Sequence, residues 1–246
     1  MKPDSSHSRL LVISELFLPT KGGTTVWYDA VYRRLGGKEL HIVTAAVPEA
    51  GEIDRHHPNS IHRIGLKRVW WLKPESLGMY LKLLGKSLRL ALGQRFDAVH
   101  GARALPEGLV AWIMARLLRK PLLVYCHGEE LTTWGRCRKF RTMLWVYRHA
   151  DANIANSEYT LEEMARLGVR RESITLIYPG VDTERFRPGL PCDDLKPSLG
   201  LGKEQRLILG VGRLVRRKGF DQVIRALPEL VKLGIEIGRA SCRERV

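Results

Sequence analysis

The sequence is poor in cysteine, in acidic residues and in long apolar runs, and each shortage excludes something. Its four cysteines, Cys126, Cys137, Cys192 and Cys242, form no CxxC pair, so neither a zinc knuckle nor a disulfide framework is indicated. Near the N-terminus the apolar run covers only Leu10 to Ser14, shorter than the core of a secretory signal. The longest apolar stretch, Gly108 to Leu118, carries Arg116 and stops at Arg119-Lys120-Pro121, too short to span a bilayer. A cytoplasmic location is expected, with peripheral contact to the inner face of a membrane as its extension. G-x-G-x-x-G spacing is missing too: after Gly210 and Gly212 the third glycine would fall on Val215.

The acid deficit is large. Lys and Arg number 41 against 26 Asp and Glu, a net charge of +15. Such an excess points to an anionic partner, whether phosphate-bearing substrate, acidic membrane or nucleic acid. Aromatics make up 7% of the chain and are little interleaved with the basic residues, which argues against single-stranded nucleic acid. Apolar residues at 44% supply a sizeable core and exclude wholesale disorder.

Short β-rich runs alternate with helical ones, the pattern of an α/β parallel sheet covered on both faces. Strands are expected at Leu10–Ser14, His41–Ala45, Ile61–Ile64, Ala98–His100, Leu122–Cys126, Ala152–Ala155 and Ile174–Ile177. Helices are expected at Thr25–Leu35, Leu77–Leu92, Pro106–Leu118, Arg138–Arg148 and Leu161–Leu167. Thr160 and Glu163 read as a capping box for the last of these, with Gly168 just past its end. These elements form a first domain over residues 1–184. A Pro- and Gly-rich linker follows at 185–204. Residues 205–236 then open a second domain, with a strand at Arg206–Val211 and a helix at Phe220–Lys232. The final IGRASCRERV, residues 237–246, has no apolar period and reads back as codons resembling a sequencing adapter. It is expected to be a non-native tail, the natural chain running on past Glu236.

Three loops carry chemistry. FLPTKGGTT, Phe17 to Thr25, follows the first strand and opens a helix. Gly22 and Gly23 there let a ligand approach the backbone, and the helix start offers N–H groups to an anion; the rival reading is an ordinary turn whose geometry needs glycine. VYCHGEEL, Val124 to Leu131, puts His127 at the carboxyl end of a strand, where such sheets bind ligands. GVGRLVRRKGFD, Gly210 to Asp221, sets Arg213 and Lys218 before a helix start, a strong diphosphate site. In Leu77–Leu92, Leu77, Leu81, Leu84, Leu88 and Leu92 share one helical face while Lys82, Lys86 and Arg89 line another. Further on, Arg136, Arg138, Lys139 and Arg141 cluster near Trp134 and Trp145. Either basic surface suits acidic lipid headgroups; the alternative is a core-packed helix with a solvated outer face.

Taken in order, FLPTKGG, DAVHGARALPEGLVAWIMARLLRKPLLVYCHGEEL, ADANIANSEYTLEEMARLGVRRESITLIYPGVDTERFRP and LGVGRLVRRKGFDQVIRAL resemble the retaining glycosyltransferases of family 4 over nearly all of residues 9–236. The resemblance implies the GT-B fold class: here one complete Rossmann-like N-terminal domain plus the first strand and helix of a second Rossmann-like domain. It implies transfer of a sugar from a nucleotide-diphosphate donor, with retention of anomeric configuration, to a saccharide or lipid-linked acceptor. It further implies no metal and no cofactor other than that donor; the absence of a D-x-D triplet agrees. By position, Arg213 and Lys218 match the pair that contacts the donor diphosphate, Gly22 and Gly23 the glycine loop that approaches it, and His127 the catalytic histidine facing the transferred sugar. The family's E-x7-E segment has no counterpart before the chain ends, so the 246 residues alone are expected to be inactive. Tyr178-Pro179-Gly180-Val181-Asp182 departs from the family's usual Asn before the glycine. The competing class is a basic binding module for membrane or nucleic acid, without catalysis.

Overall fold

A computed structural model describes residues 9–20, 22–66, 77–133, 137–189, 195–201, 206–212, 215–235 and 237–243. The chain divides into two compact units, Met1–Gly180 and Val181–Val246. The expected first boundary at 184 thus falls four residues past the observed one.

The first unit opens with β1 (Leu10–Ile13), α1 (Gly23–Leu35), β2 (His41–Ala45), α2 (Ala50–His56) and β3 (Ser60–Ile64). It continues through α3 (Leu77–Gly93), β4 (Ala98–Gly101), a wide helical turn at Ala104–Gly108, α4 (Leu109–Leu118) and β5 (Leu122–Cys126). Then come α5 (Glu129–Thr133), α6 (Arg138–His149), β6 (Ala152–Ala155), α7 (Glu158–Arg166) and β7 (Ile174–Leu176). All seven strands pair in parallel, in the order β3-β2-β1-β4-β5-β6-β7. This is the Rossmann-like doubly wound arrangement, with its switch point between β1 and β4.

Alternation along β1 shows why both faces are apolar. Leu11 and Ile13 point into a cluster with Val43, Val99, Val124, Met114 and Met143. Leu10 and Val12 point into the opposite one, with Trp27, Tyr28, Tyr32, Ile42 and Tyr125. A strand buried on both sides reads as a continuous apolar run, as β1 and β5 do; the edge strands β3 and β7 are only partly buried, and β3 carries His62 and Arg63. Glycine is required at one close crossing: a Cβ on Gly101 would lie 2.8 Å from the Gly108 Cα, and one on Gly108 2.6 Å from the Arg103 carbonyl oxygen. This contact seats the start of α4 against β4.

Three differences from the sequence reading have local causes. Helix α7 starts one turn early, because Ser157, not Thr160, is its N-cap and accepts the Thr160 N–H at 3.2 Å. Its far end is as expected: Gly168 adopts φ 79°, its N–H donates to Ala165 and that of Val169 to Met164, a Schellman end. Helix α2 carries few apolar residues and no side-chain cap, hence no sequence signal. Finally, the segment set aside as a tail forms a strand.

The second unit contains α8 (Leu195–Ser198), β8 (Arg206–Val211), α9 (Phe220–Lys232) and β9 (Ile237–Arg243). β8 and β9 pair in parallel. Strand pairing is carried by backbone groups and needs no apolar period, so β9 forms in the stretch that the sequence reading set aside as a tail. No described residue of α9 is buried.

Candidate functional site

In an open α/β sheet the loops leaving the carboxyl ends of the strands form the ligand-binding edge. Three predicted residues of the first unit meet there. Gly22 and Gly23 follow β1, and His127 follows β5. Helix α1 connects them: Gly23 begins it, and Trp27 and Tyr28, one turn on, pack edge-on against the His127 ring at 5.8 and 5.7 Å.

The glycine pair is not explained by turn geometry. Gly22 sits in extended backbone, φ 163°, which other residues adopt. A Cβ on Gly22 would meet only the Thr25 hydroxyl, at 3.9 Å, and one on Gly23 would meet nothing within 4 Å. Both residues are exposed. No side chain caps α1; the Thr25 hydroxyl lies 2.7 Å from the carbonyl oxygens of Thr20 and Gly22, pinning the loop from behind. The first-turn N–H groups therefore face outward beside a surface without side chains, a geometry suited to an anion. Lys21 lies outside the described residues.

His127 is held on all sides but one. Its Nε2 lies 3.1 Å from the Ala102 carbonyl oxygen and 2.6 Å from the Tyr28 hydroxyl, which itself donates to Ala102. A carbonyl only accepts, so the proton belongs on Nε2 and the lone pair on Nδ1. Burial pushes the imidazole below its usual pKa, against the pull of the Glu130 carboxylate, which favours this neutral form. The Glu130 carboxylate accepts the His127 backbone N–H at 3.1 Å and the Tyr147 hydroxyl at 2.7 Å. Asn156 donates to the His127 carbonyl at 3.2 Å. Gly128 next door does need glycine: at φ 83°, a Cβ would lie 2.6 Å from the Thr160 hydroxyl. Among the described residues Nδ1 has no partner, so it can accept a hydrogen bond from a ligand hydroxyl.

Sequence reasoning missed two charged residues on this edge. Glu107, fully buried, accepts the Glu15 N–H at 3.0 Å and stands 3.6 Å from the Arg103 Nε. Its second oxygen has no partner, and burial raises its pKa, opposed by Arg103. The pair ties the β1 and β4 loops together at the switch point, with the Arg103 side chain partly exposed. The available signal was a glutamate inside the apolar stretch ALPEGLVAW.

Lys218 belongs to the second unit. It is exposed and closes a short 3-10 turn, Arg216–Lys218, its stem passing 3.8–3.9 Å from where a Gly212 Cβ would stand. Gly219 then turns the chain into α9 at φ 67°. Arg213 lies outside the described residues, as do Trp134 and Arg136. Among the described residues no group of three or more His, Cys, Asp or Glu could hold a metal ion.

Comparison with known proteins adds findings of three kinds. The family model "Glycosyltransferase Family 4" matches residues 21–185. A GDP-mannose-dependent alpha-(1-6)-phosphatidylinositol monomannoside mannosyltransferase of Mycolicibacterium smegmatis is 27% identical over 226 residues, 90% of this chain and 57% of that protein. A D-inositol 3-phosphate glycosyltransferase of Thermobifida fusca is 36% identical over 158 residues, 58% of this chain and 35% of its own length. The chain thus spans little more than half the length of the first of these relatives and about a third of the second. Among solved structures, Anabaena Alr3699/HepE in complex with UDP-glucose superposes with a TM-score of 0.68, at 17% identity, over 97% of this chain and 69% of that one. The likeness extends the Rossmann-like reading to the GT-B glycosyltransferase fold.

Proposed function

Because the chain belongs to glycosyltransferase family 4, we propose that it serves transfer of a sugar from a nucleotide-diphosphate donor to a saccharide or lipid-linked acceptor, with retention at the anomeric carbon. Its relatives are named for GDP-mannose and for inositol-containing acceptors, which supports a nucleotide sugar as partner. The observation that carries the reading is the glycine pair: Gly22 and Gly23 are needed by neither backbone nor packing, yet stand at the open start of a helix on the ligand-binding edge.

Breaking the bond between sugar and phosphate builds negative charge on the departing diphosphate. Groups that stabilise that charge selectively lower the barrier, a well-placed donor by ~3–4 kcal/mol. In this reading Arg213 and Lys218 supply cations for it, and the first N–H groups of α1 supply dipoles that a substrate phosphate reaches over Gly22 and Gly23. His127 orients the transferred sugar, its Nδ1 accepting a hydrogen bond from a sugar hydroxyl while Tyr28 and Ala102 hold the ring. The departing phosphate oxygen takes the acceptor's proton on the same face, which preserves configuration. No metal enters the reading.

Calorimetric titration of UDP and GDP tests the diphosphate assignment without requiring turnover. Arg213→Ala and Lys218→Ala should each weaken the better-bound nucleotide about tenfold or more, the scale of one charge-assisted contact. Unchanged affinity in both variants contradicts it.

A further inference from the structure

The glycine loop of the first unit is held from the edge of its sheet. Phe17 to Thr25 run from the end of β1 into the first turn of α1, and the Thr25 hydroxyl ties that stretch to itself. A hold from outside comes from Arg63 on the edge strand β3. Its Nη2 donates to the Leu18 carbonyl, 45 residues away, and its Nη1 to the Ala45 carbonyl at the end of β2, at 3.1 Å. Asp54 of α2 fixes the guanidinium in that pose, accepting from Nε at 3.0 Å and from Nη2 at 2.7 Å. The two side chains are 13% and 21% exposed, so this paired contact is largely shielded from water. His57, between α2 and β3, braces the same loop. Its ring meets Phe17 edge-on at 5.5 Å; its Nδ1 accepts the Asn59 N–H, which leaves Nε2 to donate to Asp29 of α1 at 2.8 Å.

We infer that Arg63, oriented by Asp54, is a positioning residue for the glycine loop: it sets where Gly22, Gly23 and the first N–H groups of α1 stand, and through them the hold on the donor diphosphate. The inference rests on the diphosphate reading proposed above. Dipoles stabilise charge best when they are held in place beforehand. Two exposed glycines, whose added Cβ atoms would meet almost nothing, supply no packing to hold them. A planar guanidinium can bond acceptors on three elements at once, here the loop, β2 and α2; an ammonium is a single nitrogen and cannot span them. Helix α2, which has few apolar residues, then matters for the carboxylate it carries.

The test is Arg63→Lys in the 246-residue chain, read by amide hydrogen exchange and by titration of UDP and GDP. Exchange at Thr20 and Val26, whose N–H groups bond to Phe17 and Gly22, should speed up about tenfold, while Tyr125 and Ile154 in the sheet stay unchanged. Affinity for the better-bound nucleotide should fall about fivefold. On top of Gly23→Val, which already obstructs the phosphate, the lysine should cost less than about a further twofold, because both changes act on one contact. Asp54→Asn keeps the guanidinium with a weaker partner and should show the same local exchange at about threefold. Unchanged exchange at Thr20 and Val26 in both variants overturns the inference. So does equal acceleration at Tyr125 and Ile154, which marks a general loss of stability, and so does a full fivefold loss on top of Gly23→Val. If Gly23→Val binds nucleotide like the unmodified chain, the diphosphate reading fails and takes the second half of the inference with it. Exchange at Thr20 and Val26 then still decides the first half, whether Arg63 holds the loop.

Discussion

The two units use the same vocabulary of parallel strands and helices, but their apolar residues meet different surroundings. In the first, Leu11, Val12 and Ile13 of β1 are sealed between helices on both sides of seven strands. In the second, Leu209 and Val211 of β8 and Ile224 and Val231 of α9 are exposed. A βαβ segment therefore does not make a core by itself; cover on both faces does. The difference should appear in stability before it appears anywhere else.

The largest expected effect comes from one matched pair of substitutions. Met114→Ala removes a fully buried side chain of the first unit and should cost about 3 kcal/mol in chemical denaturation, whereas Ile224→Ala in α9 should stay within about 0.5 kcal/mol. Similar losses from both would break the comparison. Next comes Gly128→Ala, which forces a side chain into φ 83° and against Thr160; about 2 kcal/mol is expected. Acid sharpens the contrast, since all eight histidines precede residue 150 and the second unit has none. Burial holds His100, and with the help of Lys86 and His41 also His62, down to about 4. Each is a base whose folded pKa is depressed, so the unfolded chain binds protons first. The stability they contribute is full above 6.5 and is lost as pH falls from there toward 4. Near pH 5.5 the buried His100 should account for about 1 kcal/mol, with His62 adding less because it is half-exposed. A melting temperature flat across this window contradicts the assignment. The smallest effect is that of Tyr28→Phe, under about 1 kcal/mol, because Ala102 keeps the His127 Nε2–H as a donor. A larger loss would mean that the hydroxyl, not the imidazole, organises this edge.

The contrast between units also explains what could be read beforehand. Every strand of the first sheet was legible, the inner ones because a doubly buried strand must be apolar at successive positions, the partly buried edge strands β3 and β7 from the alternation of strand and helix. The helices were legible where one face is buried, and α2 was not because little of it is. The direction in which α3 faces could not be read: its leucine period marks one stripe, but the core is met by Met79, Tyr80, Leu83, Leu84, Leu90 and Ala91. At the site, Gly22, Gly23 and His127 were found by their position after strands. Glu107 and Arg103 were missed because what ties Glu107 to the site is the Glu15 N–H it accepts, 92 residues away, which their own four-residue spacing does not reveal. Tyr28 was missed because its partner is 99 residues away. Strand β9 was not sought, because residues 237–246 were set aside on their likeness to adapter codons.

The central claim is that glycine at positions 22 and 23 serves something outside the protein. Gly23→Val measures it directly, with thermal melting and nucleotide titration on one sample. The account predicts a melting temperature close to that of the unmodified chain, since the new Cβ meets nothing within 4 Å, together with about a tenfold loss of UDP or GDP affinity. A destabilised variant that binds nucleotide as well as before would show that this residue shapes an ordinary turn, and would contradict the claim.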